Sequence, residues 1–255
     1  MTFDPGSNSA QQGSVGATAT QQQGPAVPAQ QHSAYEAAQH GQFEGTQPGP
    51  IEAEATPEVK GPLAGDPLSL GLPAFIVGSV ALGMVLVGFV SPLGTGASLP
   101  IILAATALGL LISTLWAMAV GQSAVAAVLG VFAGFWLSYA SFVLGLQHGW
   151  FGVGIGDVKS STELFLTAWI VIISMLAVAT LRLALAFTAV LALVDVALIL
   201  LLCGTIIVSP NLVKAAGATA LLFATVGIYI FFGTASMATG GRAIPLGRPL
   251  LKSRA

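Results

Sequence analysis

Charge is what this chain has least of. Only 7% of its 255 residues are charged, against about 25% in an ordinary soluble domain. So few charges cannot cover a water-facing surface, which excludes a soluble globule. Cysteine is nearly absent too. Cys203 stands alone inside an apolar run, which excludes a disulfide framework and a thiolate metal site, and its expected role is buried packing. His32, His40 and His148 all lie outside the apolar runs, so no metal site is expected. There is no HExxH, no GxSxG and no glycine-rich phosphate loop followed by Lys-Ser/Thr. No catalytic residue and no cofactor are expected, and the chain does not read as an enzyme. GVGIG at 152–156 lacks the preceding strand and third glycine of a dinucleotide motif, and reads as a flexible loop. No basic stripe is interleaved with aromatics, so nucleic acid is not an expected partner.

What the chain has is apolar length: 55% of its residues are hydrophobic. That length is unevenly placed. Residues 1–65 are rich in Gln, Ala, Gly, Ser and Pro and hold six acids against Lys60, a balance of −5. Such a segment cannot bury enough apolar area to offset its ordering entropy, so a disordered tail is expected. It has neither the basic start nor the apolar run of a cleaved signal peptide, which leaves the first span as the membrane-insertion signal.

From Leu70 the chain reads as membrane spans. The first runs over 70–91 and closes at Pro92 and Gly94. Residues 99–147 carry no charge at all. As one helix they would extend about 70 Å at ~1.5 Å per residue, far beyond a hydrocarbon core of ~30 Å. They must fold back once, with GQS at 121–123 as the break, giving spans 99–120 and 124–147. A polar loop is expected over 148–163. Arg182 splits the next run into spans 164–181 and 183–207, and SPN at 209–211 precedes a sixth span, 212–238. The transmembrane domain thus covers 66–241 and a basic tail 242–255. The fold class is all-α, a six-helix membrane bundle. Six spans put both termini on one side, with Lys60, Arg182, Arg242, Arg248, Lys252 and Arg254, and leave Lys159 and Lys214 on the other. The positive-inside bias makes both termini cytoplasmic.

Small residues mark helix contacts, because lipid gives helices no hydrophobic drive to associate. The third span carries Gly130, Gly134 and Ser138 at four-residue steps, with Ser141 and Gly145 near the same face. In FWLSYA, Trp136 and Tyr139 share a helix face beside Ser138, as part of an interfacial belt or of a constriction. Asp195 sits near the middle of the fifth span. A carboxyl there is costly, so it faces the protein interior, either as a proton relay or as an interhelical hydrogen bond to a hydroxyl.

Four stretches in order resemble the acetate/succinate transporter family, the acetate uptake or GPR/FUN/YaaH type. DPLSLGL at 66–72 is similar to its Asn-Pro-Ala-Pro-Leu-Gly-Leu motif, with Asp66 for Asn and Ser69 for the second Pro. FWLSYA at 135–140 is similar to its third-helix segment. AGATALLFATVGIY at 216–229 keeps its Ala-Gly and Ile-Tyr spacing, and IPLGRP at 244–249 resembles its terminal motif. The likeness runs from Asp66 to Pro249. Where the family carries an intramembrane Asn, this chain has Leu86, and paired threonines become Gly78 and Ser79. This chain is a more apolar relative.

The resemblance implies transport of a small monocarboxylate anion, acetate first and succinate or related acids next, across the plasma membrane, channel-like or by proton symport. It also implies a ring-shaped homo-oligomer, a hexamer, with one path per protomer in the lipid bilayer. Expected path residues are Asp66, Pro67, Leu70, Gly71, Leu72, Phe75, Phe135, Trp136, Ser138, Tyr139 and Tyr229. Asp66 before Pro67 also has the chemistry of a plain helix start. Two other functions fit the composition: a non-transporting scaffold that recruits a partner through its acidic tail, and a channel for a small neutral solute such as urea.

Overall fold

The computed structural model describes residues 64–251. The expected disordered tail, 1–65, lies outside the described residues except for its last two, as do residues 252–255. Among the described residues all regular structure is helical, and six helices are long and apolar enough to cross a membrane. Helix α1 is Leu68–Val87. The second span is composite: a 3-10 turn Pro92–Ser98, a π-helical stretch Ile101–Ala107, then α2, Leu108–Ala119. Helices α3, Ser123–Gln147, α4, Val158–Ala179, α5, Leu185–Ile206, and α6, Pro210–Ala238, complete the bundle. The protein is a multi-pass membrane protein of the all-α class.

Local chemistry sets the helix ends. Asp66 Oδ1 accepts the Leu68 N–H at 2.9 Å, and Pro67 follows at φ −55°, a capping residue and a pre-organised first turn. The Ser113 hydroxyl donates to the Pro67 carbonyl at 2.6 Å, fastening the start of α1 to α2. The fold-back between α2 and α3 falls at Gly121, whose φ of +76° suits glycine and few other residues. Arg182 lies exposed in the short turn Thr180–Arg182 between α4 and α5.

Helix α4 begins earlier than expected. The polar loop was expected to run to Glu163, but the helix starts at Val158, after a 3-10 turn Ile155–Asp157. The charges at its start are accommodated without lipid. Lys159 pairs with Glu163 one turn on, at 3.8 Å, and its Nζ donates to the Ile206 carbonyl at 2.7 Å, one of the carbonyls left open at the end of α5. At the other end of the sequence α1 stops at Val87, short of Ser91, where Phe89 N–H turns back to the Met84 carbonyl at 2.9 Å.

Helix α1 packs along α6, α6 along α5 and α5 along α4, while α2 pairs with α3. The α1–α6 contact is backbone on backbone. A Cβ on Gly217 would lie 2.8 Å from Val87 N and 3.0 Å from the Gly83 carbonyl oxygen, a spacing that side chains would prevent. The small residues of α3 serve separate neighbours: Gly130 faces Thr114, Gly134 faces Trp169, and Phe151 lies over Gly145. Cys203, expected in buried packing, is exposed on α5 instead. It joins the large apolar side chains on the outer faces of α2 and α4, such as Leu115, Met118, Val171 and Met175, which lipid covers in a membrane.

After α6 the chain does not leave the bundle. Residues 241–251 run without regular structure back over the α4–α5 turn. The Leu246 carbonyl accepts the Ala186 N–H at 2.9 Å, and Leu251 N–H donates to the Leu181 carbonyl at 3.0 Å. Leu246 packs against the core. Ser236 Oγ donates to the Arg242 carbonyl at 2.8 Å, and the Tyr229 hydroxyl to the Pro245 carbonyl at 2.7 Å. The Leu246 bond satisfies one of the N–H groups that the first turn of α5 leaves open.

Candidate functional site

Two cavities lie inside the bundle and share two walls, Phe75 and Phe132. The larger, about 260 Å³, is lined by the first turns of α1, α3 and α5 and by Thr180, Leu183 and Ala184 of the α4–α5 turn. From past the middle of the second and sixth spans come Leu110, Gly227 and Ile230. It therefore occupies the side of the bundle on which α1 begins and on which residues 241–251, the C-terminal strap, lie. The smaller, about 30 Å³, lies toward the opposite side, among Leu82 and Leu86 of α1, Phe135 and Trp136 of α3, and residues of α5 and α6.

Between them is an aromatic plug. The Phe75 and Phe132 rings meet edge to face with centroids 4.9 Å apart, and Phe223 approaches Phe75 at 5.7 Å. All three are buried. The edge-to-face arrangement is a favoured one for aromatic pairs. A solute moving from one cavity to the other must displace these rings.

The walls are almost wholly hydrocarbon. Thr180 is the one hydroxyl residue lining the larger cavity, and its groups are committed: Oγ1 donates to the Ala177 carbonyl at 2.9 Å, and its own carbonyl accepts from Thr188 Oγ1 at 2.8 Å. Beside the smaller cavity, Trp136 is buried and its indole N–H has no partner. No titratable side chain lines either cavity, and among the described residues no cluster could hold a metal.

The expected path residues divide. Gly71, Leu72 and Phe75 line the larger cavity, Phe75 also lines the smaller, and Phe135 and Trp136 line the smaller. Asp66 and Pro67 start α1 as described, and Leu70 lies exposed on its outer face. Ser138 turns its hydroxyl onto the Phe135 carbonyl at 2.9 Å. Tyr139 stacks behind Phe135 with centroids 6.1 Å apart. Tyr229 lines neither cavity and holds the strap instead. Asp195 lies off both cavities as well: Ser174 of α4 donates to its Oδ2 at 2.8 Å, and its Oδ1 is buried without a partner.

Phe132 and Phe223 were not anticipated as cavity residues, nor was the place of the α4–α5 turn in the cavity wall. Phe132 stands three and four residues before Phe135 and Trp136, on the same face of α3, and that spacing was the available signal. Phe223 carries no such mark in an apolar run.

Fold and cavities together define a membrane protein whose six spans enclose a divided, apolar-walled interior. The sequence profile of the GPR1/FUN34/yaaH family matches residues 48–243. The chain belongs to that family, whose members are channels and transporters and not enzymes. No curated protein matches the chain. Among solved structures the fold is similar to that of the bacterial acetate channel SatP, with a TM-score of 0.63 and 21% identity over 71% of this chain and 98% of that one.

Proposed function

We propose that the protein moves small monocarboxylates, acetate first among them, across the plasma membrane by a channel-like route through its two cavities. The observation that carries this reading is the pair of cavities completed by one chain and divided by Phe75, Phe132 and Phe223. A hydrophobic constriction of this kind gates by excluding water until the rings move. The first turn of α3 opens onto the larger cavity, and a helix N-terminus favours negative charge, which supports a carboxylate at that end. The Trp136 N–H offers a donor beyond the plug. With no titratable group on either wall, the route itself supplies no proton relay.

The side bearing the larger cavity carries Arg182, Arg242 and Arg248, all exposed, and the other side Lys159 and Lys214. The charge bias makes the larger cavity cytoplasmic, with both termini on that side. Each protomer of a homo-oligomeric ring, a hexamer by the family resemblance, then has its own path. Gly71, Leu72, Phe75, Phe135 and Trp136 line that path, and Ser138 and Tyr139 back it.

Uptake of radiolabelled acetate into proteoliposomes, with and without a pH gradient, tests this reading. Saturable uptake above that of protein-free vesicles, with no requirement for the gradient, is expected. Uptake equal to that of protein-free vesicles would reject transport, and strict dependence on the gradient would reject the channel-like route.

A further inference from the structure

We infer that the larger cavity is a binding site for the hydrocarbon tail of a monocarboxylic acid, so that acids of about four to six carbons bind more tightly than acetate. The inference rests on the transport reading for its setting and on the cavity for its content. A two-carbon acid has one methyl group to bury, and the space offered is about 260 Å³. Apolar cavities of about 150 Å³ already take a six-carbon solute such as benzene. The wall is made of side chains such as Phe75, Leu129, Phe132, Phe187, Val190 and Ile230. None of these can replace the hydration of a carboxylate, and the one hydroxyl, on Thr180, is already bonded within the protein. A carboxyl group pushed into this space would lose its water for nothing, whereas a chain of methylenes loses only contact with water.

The two ends of an amphiphilic acid therefore sort themselves. The carboxylate stays at the hydrated rim, beside the first turns of α1, α3 and α5. The tail points inward and ends against Phe75 and Phe132, the plug that closes the cavity. Chain length is read by the distance from rim to plug, and acetate is too short to use it.

The test is binding and competition by acetate, butyrate and hexanoate, at about pH 7.5 so that the acids are ionised. Calorimetric titration of the purified full chain in lipid nanodiscs, with empty nanodiscs subtracted, reads binding whether or not transport occurs. Inhibition of labelled acetate uptake in proteoliposomes reads occupancy of the path. Affinity should rise by up to about fourfold per added methylene, leaving hexanoate at least about tenfold tighter than acetate. Val128→Phe, which places a ring into the cavity from α3, should abolish the hexanoate preference in the calorimetric titration. Ala184→Leu, at the rim, is the second filling variant should the first fail to fold. Equal affinities across the series, or a hexanoate preference that survives both filling variants, would overturn the inference. Failure of acetate uptake alongside tight hexanoate binding would instead overturn the transport reading and leave the tail site standing.

Discussion

Ser174 donates its hydroxyl to Asp195 at 2.8 Å and so joins α4 to α5 within the bundle. This is the hydroxyl partner that a mid-membrane carboxyl requires, and it lies away from both cavities. Asp195→Asn retains the acceptor for Ser174 and removes titration. The variant is expected to take up acetate with an unchanged pH profile. Ser174→Ala should cost about 0.6 kcal/mol, the average for interhelical hydrogen bonds in membranes, read as a small fall in thermal midpoint. A displaced pH profile in Asp195→Asn would restore the relay.

Phe132→Leu tests the plug. Replacing the ring removes an edge-to-face pair worth about 1 kcal/mol, and if that pair is broken on the way to the open state, acetate flux should rise about fivefold. Tyr139→Ala, behind Phe135, should change flux and acid selection less. Initial uptake rates per reconstituted protein decide both points. An unchanged rate in Phe132→Leu would mean that the rate-limiting barrier lies elsewhere.

The parts legible in the sequence are those in which one residue type has one physical consequence. Forty-nine uncharged residues in a row exceed a bilayer, so 99–147 had to fold back, and Gly121 was the place. Arg182 could not lie in lipid, so it marked a turn. Asp66 before Pro67 could start a helix, and it does. The start of α4 was hidden because Lys159 and Glu163 look like loop residues until the end of α5 supplies the Ile206 carbonyl. The plug was hidden for the opposite reason. In a chain apolar on nearly every face, Phe223 at a constriction and Phe232 on the outside have the same local sequence character. Only the packing of α1 against α6 separates them.

Topology can be read with thiols. In a Cys203→Ser background, Lys159→Cys should react with a membrane-impermeant maleimide in intact cells, and a cysteine at Arg242 only after lysis. Removing Cys203 matters because that residue is exposed on α5 and could contribute a background signal. Labelling of the two positions in the reverse order would invert the assigned orientation.

Tyr229→Phe deletes one hydroxyl and with it the bond to the Pro245 carbonyl. The site is partly exposed, so a loss of about 0.5–1 kcal/mol is expected. The strap should then open more often, which limited proteolysis of inverted vesicles would show as faster cleavage near residue 250. Wild-type cleavage kinetics would mean that the Leu246 and Leu251 bonds hold the strap unaided.

The strap also sets an order of events during biogenesis. Ala186 reaches the ribosome exit long before Leu246 exists, so the α5 N–H that Leu246 satisfies must at first face water or lipid headgroups. All six spans can be inserted while the α4–α5 turn, part of the wall of the larger cavity, is still unfastened, since the stretch that fastens it follows α6 in the chain. A chain truncated just after α6 would then be a threaded bundle with the α4–α5 turn still loose.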